Sequence, residues 1–277
     1  MRMQTLTERW KRIALVGAVA LGCAIGTRLF GHRTAFSQSA GVPEDTPVVL
    51  ELFTSEGCSS CPPADELLSH IGSSAAGVIP LAYHVDYWDR LGWSDPFSSS
   101  QWTARQVVYI RAMELGGPYT PQIVIGGKWQ CVGSDPRAVA NAIAAARARP
   151  PAGLVTLRTS PPAAGSHKLN VRIGARMLRS TGDRALIVVL AIYENGLMAK
   201  IDAGENRGRK LSYDYTVRKI VPVFELNAAP GRALENEISV DLDPSWKLEH
   251  LGVAAFIQDE NSLAIDGAAA QYPIAKN

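Results

Sequence analysis

The 277-residue sequence has only four cysteines, five histidines and 19% charged residues, and each shortage excludes something. Four cysteines are too few for a disulfide scaffold. The formal charge is +2 and the basic residues are scattered, apart from the short run Arg207-Gly208-Arg209-Lys210, so nucleic acid is not an expected partner. There is no Gly-x-Ser-x-Gly, no Walker loop and no Gly-x-Gly-x-x-Gly, which leaves serine hydrolysis, phosphate binding and dinucleotide binding without support. No second Cys-x-x-Cys or Cys/His pair completes a structural zinc site. No internal repeat is visible.

What is present is enough apolar material, 47% of residues, to bury a sizeable core in one large domain or two ordinary ones. Arg9, Lys11 and Arg12 precede an apolar run over residues 13–26, which Arg28 and Arg33 interrupt. This is the form of an export signal, and the run is nearer a signal core than the roughly 20 residues a membrane span needs. Residues 1–40 are therefore expected to be an export signal, with small residues for cleavage at 37–40, or alternatively an uncleaved anchor over 13–30. Cys23 lies inside that segment. The predicted location is periplasmic or secreted, an oxidising setting in which a close cysteine pair rests as a disulfide.

Residues 48–54 read as a strand and 78–85 as a second, with a helix between them that starts at Pro62-Pro63 and stops near Gly72. A Trp- and Asp-rich stretch at 86–97 and a helix at 98–115 follow. Residues 123–125 and 129–132 form a hairpin around Gly126-Gly127, and Ser134-Asp135-Pro136 caps a helix over 137–148. The alternation predicts an α/β domain over 44–149 with an insertion at about 86–117. Past the linker at 149–153, six short β-type runs without helical periodicity predict a mainly β region over 154–275, of immunoglobulin-like sandwich type, although a single extended β addition to the first domain would give the same runs.

Cys58-Ser59-Ser60-Cys61 opens the first helix. A cysteine there has its thiolate stabilised by unpaired amides and the positive end of the helix dipole, and a second cysteine one turn on can resolve a mixed disulfide. Cys58 is expected to attack and Cys61 to resolve, with Cys58 the more exposed. Glu56 opposes a thiolate at Cys58, whereas the serine hydroxyls can donate to it.

This order of strand, Cys-x-x-Cys, helix and, sixty residues on, Tyr119-Thr120-Pro121 resembles the thioredoxin superfamily. The resemblance implies a cis-proline at Pro121, facing the cysteines, with Thr120, Pro121 and Tyr119 binding substrate. Longer strings narrow it. Glu51 to Asp65, His84-Val85-Asp86-Tyr87-Trp88-Asp89, Leu91-Gly92-Trp93-Ser94-Asp95-Pro96, Tyr119-Thr120-Pro121-Gln122, Gly204-Glu205-Asn206-Arg207-Gly208 and Phe256-Ile257-Gln258-Asp259 resemble the secreted family known as domain of unknown function 1223. That family name implies a relationship and no activity. The expected fold class is an α/β thioredoxin-like domain followed by the mainly β region.

Four residues are candidates for support. His84 or Asp86, at the C-terminal end of the second strand, would move protons for Cys61; the alternative is structural. Trp88 would wall the substrate, or cap the insertion as core. Glu51 would assist the resolving cysteine, or be an ordinary buried acid. Cys131 fills space in the hairpin, and the Arg207–Lys210 run is a solvated loop, with anion binding as its alternative. The function expected is exported thiol-disulfide exchange without an organic cofactor, on a thiol or disulfide protein substrate and with a redox partner. Two alternatives stand beside it: a copper chaperone using Cys58, Cys61 and His84, and a non-catalytic binding module with a structural disulfide.

Overall fold

A computed structural model describes residues 47–274, except 161, 164 and 228. The expected export signal and Cys23 lie outside the described residues. The first strand, β1 (Val48–Thr54), is buried along its whole length, and it pairs in parallel with β2 (Val78–His84) from Val48 opposite Val78 to Thr54 opposite His84. Helix α1 (Pro62–Ser74) connects them. Its first turn holds Pro62 and Pro63, where missing amide protons cost little, and Ala64 and Leu68 pack onto Leu50 and Leu52. A short 3-10 helix (Asp86–Leu91) leads to α2 (Ser100–Ala112), capped by Ser99 and buried through Trp102, Gln106, Tyr109 and Ile110. Strands β3 (Gln122–Ile125) and β4 (Trp129–Val132) form the expected hairpin, with Gly126 and Gly127 both at positive φ. Asp135 caps α3 (Pro136–Arg147) through the amides of Arg137 and Ala138.

Nine further strands follow: β5 (Gly153–Ser160), β6 (Lys168–Met177), β7 (Leu186–Glu194), β8 (Leu197–Lys200), β9 (Lys210–Tyr213), β10 (Thr216–Leu226), β11 (Ala233–Asp241), β12 (Leu251–Asp259) and β13 (Ile265–Gln271). Here the structure corrects the expected fold class. An α/β thioredoxin-like domain with a separate immunoglobulin-like sandwich would keep the sheet of the first half apart from the two sheets of the second. Instead one mixed sheet of eight strands runs β13-β12-β7-β10-β2-β1-β3-β4, and the molecule is mainly β. The joint is β10, which lies parallel to β2 with Thr216 opposite Ala82 and accepts the Ala82 amide at the Tyr215 carbonyl, 2.8 Å away. The physical reason lies in β2: buried on both faces, it cannot leave its second edge to water, and a strand from the far half covers it.

Burial follows from this. On one face, Val188, Leu190 and Ile192 of β7 and Val253, Ala255 and Ile257 of β12 pack against a three-stranded sheet, β11-β6-β5, through Leu169, Val171 and Ile173. The opposite face is continuous with the first half, where Val189, Ala191, Tyr193, Ala254 and Phe256 share a core with Phe53, Leu81, Tyr83, Trp102 and Tyr109. Strands buried on both faces read as unbroken apolar runs, as β7 and β12 do. No helix among the described residues is long and apolar enough to cross a membrane. The limits 44–149 and 154–275 remain a proposal about domain boundaries, which limited proteolysis at the 149–153 linker decides.

The hairpin turn supplies a test of the contact between the halves. At Gly127, φ is +67°, and an added Cβ would stand 2.1 Å from the Leu263 carbonyl oxygen. Gly126, at φ +57°, has only Trp129 ring atoms in ordinary contact. Gly127→Ala is expected to cost about 3 kcal/mol, the left-handed conformation plus overpacking against backbone, while Gly126→Ala costs about 1 kcal/mol. Urea melts of the two variants check this; equal losses would place Leu263 elsewhere.

Candidate functional site

The site is built where β1 ends. Ser55 turns the chain: its carbonyl accepts the Cys58 amide at 3.1 Å and its hydroxyl accepts the Gly57 amide at 3.1 Å. Cys58 and Cys61 form a disulfide with 5.4 Å between their Cα atoms, and Cys61 is the N-terminal cap of α1, its carbonyl accepting the amides of Ala64 and Asp65. Both cysteines have zero exposure, and only Ser59 and Ser60 between them face solvent. The expected asymmetry, Cys58 open and Cys61 buried, is therefore absent. The Ser60 hydroxyl lies 3.4 Å from the Cys58 sulfur.

Beside the cysteine turn, buried titratable groups cluster on one another. His84 Nδ1 and Asp95 Oδ2 are 2.7 Å apart, both side chains fully buried, and Asp95 Oδ2 also accepts the Glu56 amide at 2.9 Å. Burial alone would lower the His84 pKa, but the Asp95 carboxylate, with Asp65 and Glu56 behind it, raises it. Burial would raise Asp95, and the facing imidazolium lowers it instead, so the two form an ion pair. Glu56 Oε2 accepts the Trp93 indole N–H at 2.6 Å. Burial, reinforced by Asp95, pushes the Glu56 carboxyl up to about 7. Asp65, in the first turn of α1, is pushed to about 7 by burial, against the pull of His84. Among the described residues Glu56 Oε1, Asp65 Oδ1, His84 Nε2 and the Tyr213 hydroxyl are buried without a hydrogen-bond partner, and the Tyr213 ring stands edge-on to His84 at 4.9 Å.

The far half completes the site. Asn206, 1% exposed, donates its amide to the Glu56 carbonyl at 2.8 Å and to the Cys58 carbonyl at 2.9 Å. Glu205 Oε2 accepts the Ser59 amide at 3.0 Å and the Ser59 hydroxyl at 2.7 Å. Arg209 donates to Asn206 Oδ1 at 2.9 Å. A loop some 150 positions away is thus fastened over the cysteine turn. Sequence reasoning quoted Glu205 and Asn206 in a matching string and gave them no role, and it passed over Asp65.

The predicted site residues divide. The Thr120–Pro121 bond is cis, the geometry expected there. Trp88 joins this loop to the cysteine turn: its indole donates to the Thr120 hydroxyl at 2.8 Å, and its Cβ would be 3.0 Å from a Cβ at Gly57. Pro121 lies beside Gly133, where an added Cβ would also meet Ala64 of α1. Tyr119 bonds Gln130 through its hydroxyl and Gln106 through its carbonyl. His84 belongs to the buried cluster. Asp86 does not; it exchanges hydrogen bonds with Thr103. Glu51 also stands apart, with Arg105 on one carboxylate oxygen at 2.7 Å and the Tyr109 hydroxyl on the other. Cys131 is half-buried in the hairpin, its thiol pushed up to about 11 by burial and Asp135. Among the described residues no group of three or more His, Cys, Asp or Glu is arranged to hold a metal ion.

The family described as "Protein of unknown function (DUF1223)" matches residues 49–258. A crystal structure of a protein from Agrobacterium tumefaciens is 27% identical, with a TM-score of 0.64, covering 84% of this chain and 97% of its own. HBP35 of Porphyromonas gingivalis has a TM-score of 0.62 at 17% identity, covering 82% of this chain and 75% of its own, a likeness of fold alone. No curated protein matches significantly.

Proposed function

The chain belongs to the DUF1223 family of proteins of unknown function, and from the geometry of its site we propose that it carries out thiol-disulfide exchange through Cys58 and Cys61. The observation that carries this is the disulfide itself, closed across the N-terminal cap of α1 and flanked along the chain by two buried carboxyl groups, Glu56 and Asp65, that are pushed up to about 7. Reduction of a disulfide takes up two electrons and two protons, and a buried pair needs groups that can hold and release protons beside it. Glu56, Asp65 and the His84–Asp95 pair supply these. The chemistry needs no organic cofactor. Its partners are a thiol or disulfide substrate and a second couple that restores the resting state. Export, which the N-terminal pattern supports, would put both in an oxidising compartment.

The complete burial of both sulfurs favours a second reading, a structural disulfide that stiffens the turn. Equilibration of the purified protein in dithiol buffers of stepped potential, with alkylation of freed thiols, separates the two. Exchange predicts one reversible two-electron transition within the biological range. Cys61→Ser should then accumulate a mixed disulfide on Cys58, and Cys58→Ser none. A pair that stays oxidised at every biological potential would establish the structural reading. Tight stoichiometric copper uptake by the reduced form would instead favour metal delivery.

A further inference from the structure

The basic run Arg207-Gly208-Arg209-Lys210, a solvated loop by sequence, belongs to the loop that closes over the cysteines. Between Lys200 and Lys210 there are four cations and two anions. Lys200 faces Asp202 at 3.6 Å, and Glu205 is held on Ser59, which leaves Arg207, Arg209 and Lys210 exposed beside the site. The contact of Glu205 is unusual in kind. An exposed carboxylate from a remote loop sits on the backbone N–H and the hydroxyl of the residue that follows Cys58, two donors that any incoming carboxylate could take in its place. The same loop is fastened through Asn206 to the Cys58 carbonyl, and Cys58 beneath it has no exposure. Lifting this loop would free the cysteine turn at the Ser59 amide and hydroxyl and at the Cys58 carbonyl.

We propose that the loop from Gly204 to Lys210 is a substrate-binding element for an anionic thiol, one bearing a carboxylate near its sulfur, and that Glu205 holds the position this carboxylate takes. The inference rests on the exchange chemistry proposed above and names its substrate class. The incoming carboxylate displaces Glu205 from Ser59, with Arg207 and Lys210 drawing it in, and the loop lifts from Cys58. The substrate thiolate attacks the Cys58 sulfur, the Cys58–Cys61 bond breaks, and its electron pair goes to the Cys61 sulfur, which takes a proton. A second substrate thiolate attacks the mixed disulfide and expels Cys58 as thiolate, which is then protonated. Two substrate thiols become one disulfide, and the protein gains two electrons and two protons.

The test is the rate of reduction of the full chain by three small thiols, each expressed per thiolate: 3-mercaptopropionate (anionic), 2-mercaptoethanol (neutral) and cysteamine (cationic). The anionic thiol is expected to react about tenfold faster than the neutral one and the cationic one slowest, an order that collapses in 0.5 M salt. Arg207 makes no side-chain hydrogen bond among the described residues, so Arg207→Glu should fold normally and erase the preference. Glu205→Gln should speed all three thiols, the anionic one most. Equal rates, a cationic preference, or Glu205→Gln rates matching wild type would overturn the proposal. Failure of all three thiols to reduce the protein would instead overturn exchange itself.

Discussion

Arg105→Met is expected to cost 3–5 kcal/mol, about 10 °C in melting temperature for a chain of this size. Arg105 extends from α2 to Glu51 of β1 at 2.7 Å and to Gln258 of β12 at 3.0 Å, and its guanidinium lies over the rings of Tyr83, Tyr109 and Phe256 at 5.5, 5.5 and 5.8 Å. Glu51 has no exposure, so methionine would leave a buried carboxylate facing tyrosine hydroxyls with its cation gone. The loss is large because an uncompensated buried charge remains, not because the pair itself contributes that much. Arg105→Met combined with Glu51→Leu should therefore recover most of it. Thermal melts of the three variants check this, and a single-variant loss under 1 kcal/mol would mean water reaches the pair.

Between pH 5 and pH 8 the protein is expected to lose about 5 kcal/mol of stability. Glu56 and Asp65 stand at about 7 in the folded chain, against roughly 4 for unfolded carboxyls. Over the interval between, the native state keeps protons the unfolded state has released, so stability falls as pH rises, by at most about 1.4 kcal/mol per unit for each group. His84 adds the same sign. Its raised pKa contributes stability fully present below about 6.5 and lost as pH climbs through the folded value. Asp95, lowered, loses its contribution only on the acid side, below the window. Melting temperature should fall by about 10–20 °C from pH 5 to pH 8, and Asp65→Asn should remove close to half of that slope. A flat profile, or one Asp65→Asn leaves unchanged, would show that the carboxyl is not held protonated.

The features legible in the sequence are those written within a few residues. Pro62-Pro63 opens a helix, Gly126-Gly127 closes a hairpin, Asp135 caps α3, and Cys58 and Cys61 meet because only the two turn residues Ser59 and Ser60 separate them. The illegible ones depend on distant partners. Nothing near residue 216 announces that β10 will cover the edge of β2. Residues 265–271 are rich in Ala and Gly and carry no strand signal; β13 exists because β12 offers an edge. Asp65 looks like an ordinary acid favoured by a helix dipole, and only tertiary packing buries it. Glu51, expected to serve the cysteines, answers to Arg105, fifty-four positions on, which no local pattern links to it.

The 148 positions between Cys58 and the Asn206 amide also set an order of events. A ribosome adds about 5–20 residues per second, so the cysteine turn emerges some ten seconds before the loop that covers it. Until residue 206 is in place, the Glu56 and Cys58 carbonyls lack the donor that fastens them in the finished fold. The turn that carries the cysteines is therefore made early and fastened late.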